Sequence, residues 1–196
     1  MPKVVAEYRV RARDRIVDAA QQMIRKKGFH AVTMADIAEE IGVSKGAIYL
    51  YFRTKTELLA EIQNRSRERV LASWEHLLER GDVVEGIVDS LDEVLSGEID
   101  PAVWHELIMD AGKDPEVGEA MRTDQREDRK FMREFLERLE ARGRIRPLED
   151  PETVAEIILA LLHATVFSLM VRVRPADARK SLVRGLRYLL DPKPTR

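Results

Sequence analysis

The chain has 196 residues, 35% of them charged and 44% hydrophobic, and its formal net charge is −2. That is enough for one domain or two small ones with a real core, in the composition range of a globular rather than a disordered protein. The absence of cysteine excludes disulfides, thiolate metal sites and cysteine nucleophiles.

The N-terminus is polar and charged, without the apolar stretch of a signal peptide, so the expected location is the cytoplasm. Charge is unevenly spread. Residues 1–67 hold thirteen Lys and Arg against eight Asp and Glu, whereas residues 68–196 hold twenty against twenty-seven. A basic head on an acidic body is expected when one part meets phosphate and the other does not.

The pattern is helical almost throughout, and no stretch alternates convincingly as a strand. Over about 9–27, Ile16, Ala19, Ala20, Met23 and Ile24 recur at helical spacing, and Gly28 reads as the stop. Arg9, Arg11, Arg13 and Arg15 read first as a solvated face and second as an arm reaching DNA. Two short helices follow, at about 34–41 and 45–52. Thr33 stands three residues before Asp36, a capping pair, with Val32 and Ile37 at staple spacing. Ser44 repeats the device with Val43 and Ile48. Between them, Gly42 suits the positive φ that ends one helix and swings the chain into the next. Two short helices joined by a glycine-containing turn have the shape of a helix-turn-helix.

The second short helix carries the chemistry. At ~100° per residue, Lys45, Gly46 and Tyr49 share one arc, while Ile48 and Phe52 turn toward a core with Phe29, Ile37 and Ile41. Lys45 suits a phosphate or a guanine edge, and the Tyr49 hydroxyl suits a phosphate. Gly46 permits close approach to a backbone, near a helix start where it costs less than the ~1 kcal/mol of an interior glycine. Ala47 and Leu50 point to a thymine methyl or to no base contact. Thr54-Lys-Thr-Glu57 is a capping box that opens a long helix to about Arg80, and Lys55 in its first turn suits phosphate.

Beyond Gly81, helices are expected at about 83–96, 102–111, 115–142, 152–172 and 176–190, with Pro101, Pro115, Pro151 and Pro175 near their starts. The helix at 152–172 is apolar nearly all round and must be covered on both sides; with the helix at 176–190 it is the expected interface between two copies. The run Val154 to Val173 contains Glu156, His163, Ser168 and Arg172, so it reads as too short and interrupted for a membrane span. Trp74, Trp104, His105, Met109, Phe131, Phe135, His163 and Phe167 are the candidate pocket lining, although each reads first as a plain core residue. His163 stands out because a buried neutral imidazole needs a hydrogen-bond partner, which a ligand could supply. No histidine or carboxylate spacing matches a metal site, no cofactor motif is present, and no catalytic constellation supports an enzyme.

The stretch from Thr33 to Leu58 resembles the DNA-binding head of the TetR family of transcriptional regulators, with a match over roughly residues 10–60. The resemblance rests on Ile37-Ala38, on Gly42-Val43-Ser44-Lys45-Gly46, on the Tyr49-x-Tyr51-Phe52 run, and on the Lys55-x-Glu57-Leu58 opening of the next helix. It implies an all-α homodimer. An N-terminal three-helix, helix-turn-helix DNA-binding head would span 1–53, and a larger helical ligand-binding and dimerisation body would span 54–196. Position by position, the family's DNA contacts fall on Thr33, Ser44, Lys45, Gly46, Tyr49, Tyr51 and Lys55; capping alone also explains Thr33, and core packing explains Tyr51 equally well. The implied function is a repressor that leaves a near-palindromic double-stranded DNA operator when a small-molecule effector fills the body. The alternative is a DNA-binding module without an effector.

Overall fold

The computed structural model describes the backbone of residues 2–97 and 101–191, and the side-chain surroundings of 7–70, 72–90 and 106–191. Among the described residues there are nine α-helices and no strand: α1 Pro2–Lys27, α2 Met34–Glu40, α3 Lys45–Tyr49, α4 Lys55–Trp74, α5 Val83–Gly97, α6 Pro101–Ala111, α7 Pro115–Ala141, α8 Pro151–Met170 and α9 Pro175–Leu190. The protein is all-α, as its periodicity predicts.

Helix ends follow local chemistry. The Thr33 box closes on α2, with the Asp36 N–H donating to Thr33 Oγ1 at 3.2 Å and the Thr33 N–H to the Asp36 carboxylate at 2.8 Å. At α4 the Glu57 N–H donates to Thr54 Oγ1 at 3.0 Å, but the Glu57 carboxylate accepts from the Arg53 N–H, one residue earlier than a regular box. Two helices are shorter than predicted. α3 stops at Tyr49 because Phe52, fully buried beside Ile48, pulls the chain inward; the N–H groups of Tyr51 and Phe52 both bond Ile48 O. α4 stops at Trp74 and tightens into a 3-10 turn at Glu75–Leu78 before Gly81, whose φ of +84° reverses the chain.

The chain forms two compact units. The first comprises the described residues of Met1–Arg65 and Glu98–Met121. Its core joins Ile16, Val17, Ala20 and Ile24 of α1 to Ile37 of α2, Ile48 of α3, and Leu58, Leu59 and Ile62 of α4. Leu107 of α6 and Val117 and Met121 of α7 complete it. In this core α1, α2 and α3 bury one face each, and α4, α6 and the start of α7 supply the other side.

The second unit comprises the described residues of Ser66–Gly97 and Arg122–Arg196. Its core holds Trp74, Leu77, Leu78, Val84, Ile87, Met132, Phe135, Leu136 and Leu139, the inner face of α8 (Val154, Ala155, Ile158), and Leu182, Leu186, Leu189 and Leu190 of α9. The outer face of α8 is left open. Ile157, Ala160, Ala164 and Phe167, with Val171 just past the helix end, are all exposed in the single chain. By length and composition α8, at 20 residues, is long and apolar enough to cross a membrane, which differs from the sequence reading of that run. Its inner face is committed to the core of the second unit.

Candidate functional site

The helix-turn-helix forms as its caps and glycine predict. Gly42 takes φ +69°, and the Val43 N–H reaches back to Ala38 O at 2.9 Å. Ser44 Oγ accepts from the Ala47 N–H at 3.2 Å and starts α3. Ile48 is fully buried, which turns Gly46 and Leu50 to the centre of the outward arc, with Lys45 and Tyr49 beside them. Tyr49 is 43% exposed and Leu50 77%. The Lys45 ammonium lies 5.8 Å from the centroid of the Tyr49 ring, within cation–π range. A Cβ placed on Gly46 would meet only Ser44 Oγ, at 3.9 Å, so no neighbour within the chain requires glycine there.

Two of the four N-terminal arginines are internal ties. Arg13 pairs with Glu61 at 2.8 Å and lies 4.5 Å above the Phe52 ring, and Arg15 donates to Ile41 O at 3.1 Å. Arg9 and Arg11 are exposed. Thr33 is exposed, and its hydroxyl also donates to Asp36 at 2.7 Å; these bonds hold the Asp36 carboxyl below its ordinary range. Tyr51 is half-buried against the core of the first unit.

Lys55 departs from its predicted role. Its ammonium turns inward, donates to Phe29 O at 2.7 Å and Val32 O at 2.9 Å, and lies 4.1 Å above the Phe29 ring. Burial lowers its pKa, with Glu106 and Asp110 opposing. On the other side of the same turn, the N–H groups of Phe29 and His30 donate to the two Glu106 oxygens at 2.9 Å each, and the His30 ring pairs with Asp110. Gly28 is favoured here by its φ of +86°, and a Cβ would press on Glu106 Oε2 at 3.2 Å. Lys55 is therefore committed to the α1–α2 turn instead of reaching out to phosphate. Sequence reasoning missed Glu106, because a carboxylate that closes on backbone 76 residues away leaves no periodic signal.

In the second unit the expected pocket lining disperses. Trp74 donates its indole N–H to Ser90 Oγ at 2.8 Å and lies 5.5 Å from Phe131 and 4.9 Å from Phe135, ring centroid to centroid. Trp74 and Phe135 are buried in the core of the second unit, and Phe131 packs against it half-buried. Met109 is exposed on α6 in the first unit, and Phe167 is 60% exposed on α8. The side chains of Trp104 and His105 lie outside the described residues. His163 does line a half-open cleft of about 230 Å³ between α7 and α8, with Gln125, Asp128, Arg129, Glu156, Leu159 and Ala160. Arg129 pairs with Glu156 at 2.9 Å across its mouth. Beneath, Arg67 pairs with Asp128 at 2.7 Å and Asp124 at 2.5 Å. Burial, and then the charge of Asp128, push the Asp124 carboxyl up to about 6 against the pull of Arg67. The His163 ring is exposed at the cleft instead of buried as expected, and its partial desolvation against the walls lowers its pKa, with Asp128 opposing.

Residues 16–62 match the family model for bacterial regulatory proteins of the tetR family, and residues 80–183 match the tetracyclin repressor-like C-terminal domain. YfiR, an uncharacterized HTH-type transcriptional regulator of Bacillus subtilis (strain 168), is 29% identical over 193 residues, covering 94% of this chain and 91% of YfiR. Among solved structures, Salmonella enterica GusR is similar with a TM-score of 0.70 at 25% identity, over 91% of this chain and 95% of GusR. A SmeT–triclosan complex is similar with a TM-score of 0.64 at 20% identity, over 94% and 98% of the two chains. Head and body each match their own part of one family, over most of the sequence: this chain belongs to the TetR family of bacterial regulatory proteins and is a helix-turn-helix, DNA-binding transcriptional regulator, not an enzyme.

Proposed function

We propose that this regulator is a repressor that holds a near-palindromic operator as a homodimer and releases it when a small molecule occupies the body. Gly46 carries the assignment of the DNA face. A helical glycine costs up to ~1 kcal/mol against alanine, and no neighbour in the chain needs the missing side chain. A recognition helix pressed into a major groove does need it, because the backbone can then approach the DNA closely. Around Gly46, Lys45 is assigned to a guanine edge or phosphate, and Ser44, Tyr49 and Thr33 to phosphates. Tyr51 is assigned to packing and Lys55 to the turn.

The homodimer is assigned to α8 and α9. Ile157, Ala160, Ala164, Phe167 and Val171 follow one another at steps of three and four, the spacing of a helix seam, and Tyr188 of α9 is 74% exposed. A two-fold pair of heads suits half-sites one helical turn apart. The effector is assigned to the cleft at His163, and the SmeT neighbour with triclosan supports a small molecule as the class of effector in this fold. Such a protein works where its DNA is, in the cytoplasm. A regulator without an effector is the second reading, favoured by the packing of Trp74 and Phe135 inside the body core and of Phe131 against it.

The test is binding of the full chain to duplexes enriched by it from a random-sequence pool. Gly46→Ala is expected to keep or slightly raise stability and to weaken these duplexes tenfold or more. Unchanged affinity sinks the assignment of the DNA face. Phe167→Glu is expected to shift sedimentation toward the monomer. A small-molecule library that never releases the duplex favours the second reading.

A further inference from the structure

A largely exposed side chain on the outward face of α3 is apolar. Leu50 caps the helix with 77% of its surface open, about 160° around the axis from fully buried Ile48. A lone exposed leucine on a surface needs no explanation. This one stands at the centre of a face whose other members are Lys45, Gly46 and Tyr49. Ala47, three residues earlier, extends the same apolar strip on its flank.

The apolar group that projects into a major groove is the C5-methyl of thymine; the other groups that tell base pairs apart there are hydrogen-bond donors and acceptors. Leucine cannot answer a donor or acceptor, so burying it against a G·C edge leaves groups desolvated and unpaired. Resting on the DNA face proposed above, we infer that Leu50, flanked by Ala47, reads thymine methyl groups in each half-site. Operator choice then combines a polar contact from Lys45 with a methyl contact from Leu50. The contact belongs to the DNA and not to a second copy of the protein, because the polar residues around Leu50 on α3 are groups that bond phosphates and bases.

The experiment replaces each thymine of an enriched duplex by uracil, which deletes the methyl and leaves the pairing edge unchanged. The full chain is expected to lose about fourfold in affinity at one thymine of the half-site and about fifteenfold when both half-sites are changed. Leu50→Ala, on an exposed position that leaves no cavity, is expected to bind thymine and uracil duplexes equally. Lys45→Ala is expected to weaken both while keeping their ratio. A wild-type ratio of one at every thymine overturns the assignment while leaving the DNA face standing. So does a Leu50→Ala variant that keeps the ratio and instead loses self-association in sedimentation. Failure to enrich any duplex removes the DNA face and the methyl contact together.

Discussion

The two units hold their charged side chains in different company. Around the turn into α2 of the first unit they close on backbone: Glu106 takes the N–H groups of Phe29 and His30, Lys55 gives to the carbonyls of Phe29 and Val32, and Asp36 closes the Thr33 box, while α1 and α4 of that unit are also joined by ion pairs of Arg13 with Glu61 and Arg65 with Asp14. In the second, arginines pair with acids on other helices: Arg67 with Asp124 and Asp128, Arg179 with Glu85 and Asp89, Arg187 with Asp82 and Glu85. A bond to backbone fixes where a segment runs. A solvated ion pair between helices contributes only about 0–1 kcal/mol and adjusts with its side chains. Rigid bonding therefore surrounds the turn that leads into α2 and α3, whereas a solvated pair, Arg129–Glu156, spans the mouth of the cleft above the buried Arg67 cluster. That contrast suits a head that must match a groove and a body proposed to respond to a ligand.

The sharpest way to break the comparison is at a rigid place in the second unit, its aromatic core. Phe135 is 2% exposed and meets Trp74 and Phe131. Phe135→Ala is expected to lower the unfolding free energy by about 3–5 kcal/mol in urea denaturation. A loss under about 1 kcal/mol would mean that the rings enclose space, and would restore them to the pocket lining.

Next in size is the clamp in the first unit. Lys55→Met keeps the stem over Phe29 but leaves the carbonyls of Phe29 and Val32 without their charged donor. A loss of about 2–3 kcal/mol is expected, since bonds to charged groups contribute about 1.5–3 kcal/mol each and water recovers part of them. The salt dependence of duplex binding is expected to stay the same. If stability holds and the salt slope falls by about one, Lys55 is a phosphate contact after all and the head is less tightly clamped than its geometry shows.

These two residues also mark where sequence stops being informative. Thr33, Ser44 and Gly42 act within four residues of themselves, so their caps and turn are legible in order, and the recognition face follows from the position of Ile48. Glu106 and Lys55 act on segments 76 and 26 residues away, and no local pattern encodes that reach. The part of α6 in the head core is of the same kind, since Leu107 packs there from a distant segment. In the body, aromatic residues at helical spacing serve a core and a pocket equally well on paper. Only their mutual stacking separates Trp74, Phe131 and Phe135 from His163, which does reach the cleft.

The smallest effect sharpens the other side of the comparison, the soft charges of the body. Asp124 is pushed up to about 6 because burial and Asp128 outweigh Arg67, whereas the unfolded chain leaves it near 3.9. The folded state therefore holds this proton more tightly than the unfolded one. Its contribution to stability is greatest below about pH 4 and falls as pH rises through 6. Between pH 5 and pH 7 the wild type is expected to lose on the order of 1 kcal/mol through this group. Carboxyls held low, such as Asp36 and Glu61, change stability in the opposite direction and at lower pH, so the total curve does not isolate Asp124. Asp124→Asn does isolate it: the amide keeps the shape and cannot ionise. Urea titrations at both pH values are expected to show the variant gaining on the wild type as pH rises. An equal difference at pH 5 and pH 7 would mean that Arg67 fully compensates Asp124. The cluster under the cleft would then be as firmly held as the turn at Glu106.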